Sequence, residues 1–339
     1  MNPTRIAING FGRIGRSFFR AAHGLPDFEI VAINDLTDTK TLAYLLKYDS
    51  VYGRYAKSVE ASDGHLTVDG RDIQVLAQKD PANLPWKNLN VDVVIESTGF
   101  FTSFEKAKAH LDVGAKRVVI TAPADESAFG RVTTALVGVN DDRFTNAAPI
   151  TSNASCTTNS VAPVIAIVKD TFEIVKGSMT TVHAYTATQK LVDGPDKDLR
   201  RGRAAAVNIV PATTGAAEAV IQAIPELAGK FNAVAIRVPT ITGSLSISTL
   251  EVGRSTTVEE VNETFRKAAT NPRWQKSVAV TEAPIVSSDI IGEPYGAIID
   301  LTLTKVIDGN LVEVFSWYDN EAGYTATLVE HVRRISALI

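Results

Sequence analysis

Short apolar runs alternate with stretches of helical period along the first part of the chain. Arg5–Asn9 reads as a buried strand, Arg13–His23 as a helix and Glu29–Asn34 as a second buried strand. Two strands joined through a helix form a βαβ unit, which implies a parallel sheet. Val91–Glu96 and Arg117–Thr121, separated by the helix-like Ser103–Val113, continue the alternation. Earlier, His65–Val68 and Arg71–Leu76 flank Asp69-Gly70, a favoured type I′ pair, and predict an antiparallel insertion decorating the sheet. After about residue 150 the pattern changes to Gly177–His183, Phe231–Val238, Ser244–Val252, Ala297–Lys305 and Leu311–Trp317, the last two joined by Asp308-Gly309-Asn310. Tight turns between sequential strands predict an antiparallel or mixed sheet. Helices are predicted at Cys156–Lys169, Gly215–Ile224, Val258–Ala269 and Ala322–Ile339, with Pro163 confined to the first turns of its helix. Thr186–Ala206 has no period and reads as a functional or subunit-contacting loop.

At 339 residues, two domains are expected, and 45% hydrophobic against 21% charged residues supply a core for each. The net charge of −4 gives no overall reason to bind nucleic acid or an anionic membrane. Apolar runs such as Val161–Val168 are far shorter than the ~20 residues that span a bilayer, and the first residues run directly into a strand. A cytoplasmic protein is expected. One cysteine permits no internal disulfide and no Cys-rich zinc site, and no metal is expected.

The stretch Asn9-Gly10-Phe11-Gly12-Arg13-Ile14-Gly15 places G-x-G-x-x-G after a strand and at the start of a helix. Gly10 permits the turn, Gly12 lets backbone approach a pyrophosphate and Gly15 lets helix and strand pack closely. Asp35 ends the next strand about 20 residues on, where an acid meets ribose hydroxyls. An acid followed by bulky Leu36 disfavours a 2′-phosphate, so NAD is expected rather than NADP. The fold class is α/β: an N-terminal Rossmann dinucleotide-binding domain, residues 1–151, and a mixed or antiparallel α+β catalytic domain, residues 152–319.

Ser152–Asn159 precedes the apolar helix and puts Cys156 at a helix start, where dipole and free N–H groups favour a thiolate. His183 opens a loop from an apolar strand and is the candidate base; His23, His65, His110 and His331 read as surface or core. A thiolate beside a nicotinamide points to aldehyde oxidation through a hemithioacetal and a thioester, released to water, phosphate or a thiol.

The stretch around Cys156, the 27-residue spacing to His183, and Asn9–Arg16, Leu46–Ser50, Ser97–Phe101, Asp198–Arg201, Pro211–Ala217 and Trp317–Glu321 resemble the glyceraldehyde-3-phosphate dehydrogenase family over essentially the whole chain. The resemblance implies oxidative phosphorylation of glyceraldehyde 3-phosphate to 1,3-bisphosphoglycerate, with Cys156 as nucleophile and His183 as base. It implies Thr186 and Arg237 around the substrate phosphate, and Ser155, Thr157, Thr214 and Gly215 around inorganic phosphate, with Arg201 nearby. It implies Asn320 at the nicotinamide with Tyr324 beside it, Lys79 and Thr121 on the adenine side, and Thr98 and Gly99 in the cofactor site. It also implies a homotetramer and a last helix, 320–339, joined to the first domain. Ser160 stands where the family often has a second cysteine. Competing expectations are an erythrose-4-phosphate dehydrogenase, a hydrolytic aldehyde dehydrogenase, and a catalytically silent RNA-binding protein.

Overall fold

The computed structural model describes residues 2–124 and 130–339, and the chain divides into two compact units. The first comprises residues up to Ala135, Asp141–Ala154 and Leu328–Ile339; the second comprises Leu136–Asn140 and Ser155–Thr327.

In the first unit, β1 (Thr4–Asn9), α1 (Arg13–Ala22) and β2 (Phe28–Asn34) form the βαβ unit. Next comes α2 (Thr39–Lys47), which the apolar pattern does not predict; Asp38 caps it by accepting from Thr41 N at 2.9 Å. Then β3 (Val59–Ser62), β4 (His65–Val68) and β5 (Arg71–Leu76) follow, with β4 and β5 turning at Asp69 (φ 48°) and Gly70 (φ 75°). The hairpin does more than decorate the sheet, because β5 pairs parallel with β2 and carries the sheet outward. β6 (Val93–Glu96), α3 (Phe104–Asp112), β7 (Arg117–Ile120), β8 (Thr133–Thr134), α4 (Asp142–Thr145) and β9 (Ile150–Ser152) complete the unit. The order is β3-β4-β5-β2-β1-β6-β7-β9-β8. The chain leaves β1 for β2 on one side and returns to β6 on the other, which opens a crevice at the carboxyl ends of these strands.

The second unit begins with α5 (Cys156–Phe172) and β10 (Ile174–Ala184), then β11 (Val210–Ala212), α6 (Ala216–Ala223), β12 (Phe231–Val238) and β13 (Ser244–Val252). It continues with α7 (Val258–Thr270), β14 (Val278–Thr281), β15 (Ala297–Asp300), β16 (Lys305–Ile307), β17 (Leu311–Tyr318) and the first turns of α8 (Ala322–Ser336), whose residues from Leu328 onward belong to the first unit. The sheet order is β11-β12-β10-β13-β17-β15-β14, with β16 paired to β17. It is mixed, since β10 runs parallel to β12 and β14 to β15.

Two expectations need correction here. Ala297–Lys305 is two strands, because the buried Asp300 carboxylate accepts from Thr302 N (3.1 Å) and from the Trp317 indole (3.0 Å), bending the chain away before β16. Pro163 lies eight residues into α5, well past the first turn, where it removes a helical N–H without ending the helix. The inner face of β13 and β17 is lined with small hydroxyls, and Ser160 Oγ of α5 meets Ser316 Oγ at 3.1 Å and Ser246 Oγ at 3.4 Å. Among the described residues no helix is long and apolar enough to cross a membrane.

Candidate functional site

The crevice at the end of β1 is a cleft of about 500 Å³ whose wall includes Asn9, Gly10, Gly12, Asp35, Lys79 and Thr98. Gly10 has φ +93°, and a Cβ there would lie 2.8 Å from Thr98 N. A Cβ on Gly15 would lie 2.2 Å from the Gly10 carbonyl, whereas one on Gly12 would meet nothing within 4 Å. Gly10 and Gly15 therefore serve the fold, and Gly12 keeps the mouth of α1 open. No side chain caps α1, so its first N–H groups face an approaching anion. Gly15→Ala is expected to lower stability by at least ~2 kcal/mol, whereas Gly12→Ala stays within about 1 kcal/mol and weakens dinucleotide binding. Chemical denaturation with NAD titration separates the two, and equal destabilisation would refute the division of roles.

Asp35 is held by Phe11 N at 2.7 Å on one oxygen and Thr37 N at 2.9 Å on the other, which fixes its carboxylate at the cleft wall. Asn34, which sequence reasoning missed, donates to Asn9 Oδ1 (2.7 Å) and exchanges bonds with the Gln78 backbone. A polar residue closing an apolar strand was the available signal. Arg13 points to Asp49, with which it is ion-paired, and lies over Tyr52. Ile14 is half-buried in α1, Gly99 is exposed with φ 77°, and the Thr121 hydroxyl bonds the Glu96 carbonyl at 3.1 Å.

The second constellation is built on the start of α5. Ala154, buried yet at φ 52°, turns the chain into Ser155, whose hydroxyl accepts from Thr158 N at 3.1 Å and caps the helix. Cys156 then opens α5 with its Sγ 3.4 Å from His183 Nε2. His183 Nδ1 lies 2.6 Å from the Ala184 carbonyl and 2.5 Å from Arg237, and in the tautomer that donates to the carbonyl Nε2 is left to accept a proton from the thiol. Arg237 is the direct register partner of His183 across β10 and β12. Its guanidinium donates to the Ala184 carbonyl at 3.0 Å and lies 2.5 Å from His183 Nδ1, where its positive charge disfavours imidazolium.

Burial, followed by the Arg237 charge, pushes the His183 pKa down to about 3. Burial also pushes the Cys156 thiol up, against the opposing pull of Arg237 and of the Thr157 hydroxyl and N–H. This corrects the expectation of a lowered thiol: the helix start favours the thiolate, but enclosure outweighs it. The pair rests as thiol and neutral imidazole, poised to transfer one proton.

Tyr318 is a further residue missed from sequence. Its buried hydroxyl bridges Thr181 Oγ1 (2.7 Å) and Thr157 Oγ1 (3.0 Å), and its ring stands edge-on to His183 at 5.9 Å. The Thr157 hydroxyl is thereby committed inside the unit. Thr186 Oγ1 pairs with Thr188 Oγ1 at 2.9 Å, and Arg201 bonds the Thr213 carbonyl at 3.0 Å and Asp198 at 3.3 Å. Thr214 Oγ1 accepts from Ala216 N at 3.2 Å, and Gly215 is the uncapped start of α6. Asn320 and the buried Tyr324 belong to this second unit. Asn320 Oδ1 receives Gly243 N (3.1 Å), Ser244 Oγ (3.1 Å) and Thr242 Oγ1 (3.3 Å), which fixes the amide rotamer and leaves Nδ2 as its donating end.

Comparison with known proteins gives two matches along the chain. Residues 4–104 match the family described as "Glyceraldehyde 3-phosphate dehydrogenase, NAD binding domain", and residues 155–320 match "Glyceraldehyde 3-phosphate dehydrogenase, C-terminal domain". The chain is 56% identical over 328 residues to glyceraldehyde-3-phosphate dehydrogenase of Thermotoga maritima, covering 96% of this chain and 97% of the relative. It is 50% identical over 335 residues to the Mycobacterium avium protein of the same name, with 97% of each covered. It is 49% identical over 328 residues to glyceraldehyde-3-phosphate dehydrogenase 2 of Streptomyces avermitilis, with 96% of each covered.

Proposed function

We propose a residue-level reaction from the fact that this chain belongs to the glyceraldehyde-3-phosphate dehydrogenase family. The protein is an NAD-dependent oxidoreductase of glycolysis, and its family favours the phosphorylating triose reaction over the erythrose, hydrolytic and RNA-binding alternatives. The observation that carries the mechanism is the 3.4 Å contact between Cys156 Sγ and His183 Nε2 at the start of α5.

The thiol proton passes to His183 Nε2 as sulfur attacks the aldehyde carbon. The carbonyl electrons move to oxygen, and the imidazolium returns its proton there, giving a hemithioacetal on Cys156. His183 next accepts the hydroxyl proton while the carbon is oxidised. Bound NAD supplies the two-electron acceptor. An oxygen of inorganic phosphate then attacks the thioester carbon, the carbon–sulfur bond breaks, and the His183 imidazolium returns its proton to the Cys156 sulfur. Arg237 and Thr186 hold the substrate's phosphate. Arg201, Ser155, Thr214, Gly215 and the backbone of Thr157 surround the attacking one, combining charge with hydroxyl and backbone donors.

NAD fits the first unit: the uncapped α1 start takes the pyrophosphate, and the anchored Asp35 carboxylate takes ribose hydroxyls. Asn9, Gly10, Gly12, Arg13, Ile14, Gly15, Lys79, Thr98, Gly99 and Thr121 complete that side. Asn320 offers its amide N–H to the nicotinamide carboxamide, with Tyr324 packed near it. A homotetramer is proposed because Leu191, Val192, Leu199, Val207 and Ile209 all present largely exposed apolar side chains in and just beyond the segment after Tyr185. A cytoplasmic location, with no requirement for nucleic acid, accords with the single cysteine and net charge of −4.

The phosphate-acceptor step is tested by rapid mixing with NAD and glyceraldehyde 3-phosphate in phosphate-free buffer. One NADH per Cys156 is expected in a burst that then stalls, with turnover restored by phosphate. Sustained turnover without phosphate would assign the thioester to water instead.

A further inference from the structure

We propose that Glu96, with His110 behind it, is a positioning group for the dinucleotide cleft, holding Asn9 and Thr98 in place from beneath. Glu96 ends β6 and is 2% exposed. Its carboxylate accepts from Asn9 Nδ2 (2.5 Å), from Thr98 N (2.9 Å), from the Thr98 hydroxyl, and from His110 Nε2 (3.1 Å). The His110 tautomer follows from its other neighbour. The Trp86 indole N–H can only donate, and it reaches His110 Nδ1 at 3.0 Å, so the proton sits on Nε2 and points at Glu96.

The chain of bonds continues to the cleft wall. Asn9 Oδ1 accepts from Asn34 Nδ2 at 2.7 Å, and Asn34 bonds the Gln78 backbone at 2.8 and 2.9 Å. Asn9, Asn34, Gln78 and Thr98 all line the cleft, whereas Trp86 and His110 are fully buried. One buried carboxylate therefore ties the ends of β1 and β6 together, and through Asn9 reaches the end of β2, at the switch point where a dinucleotide binds. Burying a carboxylate is costly unless donors surround it, and here four do. Apolar packing would close these strand ends without that cost. Only a group that accepts from every side can hold Asn9 and Thr98 in one arrangement.

Glu96→Gln keeps the shape but turns an NH₂ toward groups that already donate. Its expected effect is a rise of about tenfold in both Kd and KM for NAD, the loss associated with one charge-assisted hydrogen bond. The kcat at saturating NAD, the KM for glyceraldehyde 3-phosphate and the cofactor-free alkylation rate of Cys156 are expected to stay within about twofold. His110→Gln keeps an acceptor for Trp86 and a donor for Glu96 and is expected to behave as wild type. His110→Leu, lacking the donor, is expected to weaken NAD binding as Glu96→Gln does. The His110 pair decides the matter should Glu96→Gln not fold.

Unchanged NAD affinity in Glu96→Gln and His110→Leu would overturn the proposal. So would a parallel decline of kcat, both KM values and the melting temperature, which marks a purely structural role. The proposal rests on the cleft being the NAD site, and Asp35→Ala checks that separately. If Asp35→Ala weakens NAD and the Glu96 and His110 variants do not, positioning alone fails; if Asp35→Ala is also silent, the cleft assignment fails with it.

Discussion

Cys156→Ser is expected to fold normally, to bind NAD with unchanged affinity, and to lose aldehyde oxidation by about 10⁴-fold or more. The hydroxyl occupies nearly the same place, within reach of His183 Nε2, so geometry is preserved and only the nucleophile changes. A serine hydroxyl resists deprotonation far more than a thiol. The neutral His183 imidazole, already disfavoured as imidazolium by burial and Arg237, is too weak a base to compensate. No other thiol stands in, because the chain has a single cysteine. Ser160, one turn on, is buried among Ser246 and Ser316 and cannot take over. Steady-state rates with a thermal melt check this, and more than about 1% residual activity in a well-folded variant would mean the covalent route is wrong.

What the sequence revealed followed from how local each signal is. The glycine loop was legible because each glycine answers a constraint within its own turn, from the positive φ of Gly10 to the contact of Gly15 with the Gly10 carbonyl. The strands β12 and β13 were bounded correctly because they are eight and nine residues long, enough for period 2 to register. β8, β11 and β14, of two to four residues, are too short to show a period at all. The helix α2 was hidden because Tyr44 and Leu45 face outward and blur its apolar stripe.

The candidate site divides in the same way. The cap at Ser155 placed Cys156 at a helix start from sequence, but its meeting with His183 depends on how α5 lies on the sheet. The closeness of Arg237 to His183 depends on the parallel register of β10 and β12. Glu96 and Tyr318 read as the polar ends of apolar strands, and only the packed structure shows what each hydroxyl or carboxylate holds. The thiol is the instructive error. Helix-start stabilisation is local and visible in sequence, while desolvation comes from residues far along the chain and decides the direction.

His183→Asn is expected to lower kcat/KM by ~10²–10⁴-fold, the usual range for a lost general base. A substitution at Arg237 tests the electrostatics behind that base. Arg237 lowers both the thiol and the imidazole pKa, favouring thiolate on one side and neutral base on the other. Removing its charge in Arg237→Gln therefore raises both. Fewer Cys156 sulfurs are ionised at a given pH, so the midpoint of the alkylation rate moves to higher pH; His183 moves up from about 3 toward its ordinary value. Iodoacetamide is the suitable probe because it is uncharged and needs no phosphate contact, which separates this effect from loss of substrate binding. The expected profile is an alkaline shift in Arg237→Gln, and a slower neutral-pH reaction in His183→Asn. An unmoved midpoint in Arg237→Gln would show that the guanidinium does not act on the sulfur, leaving it with the substrate phosphate alone.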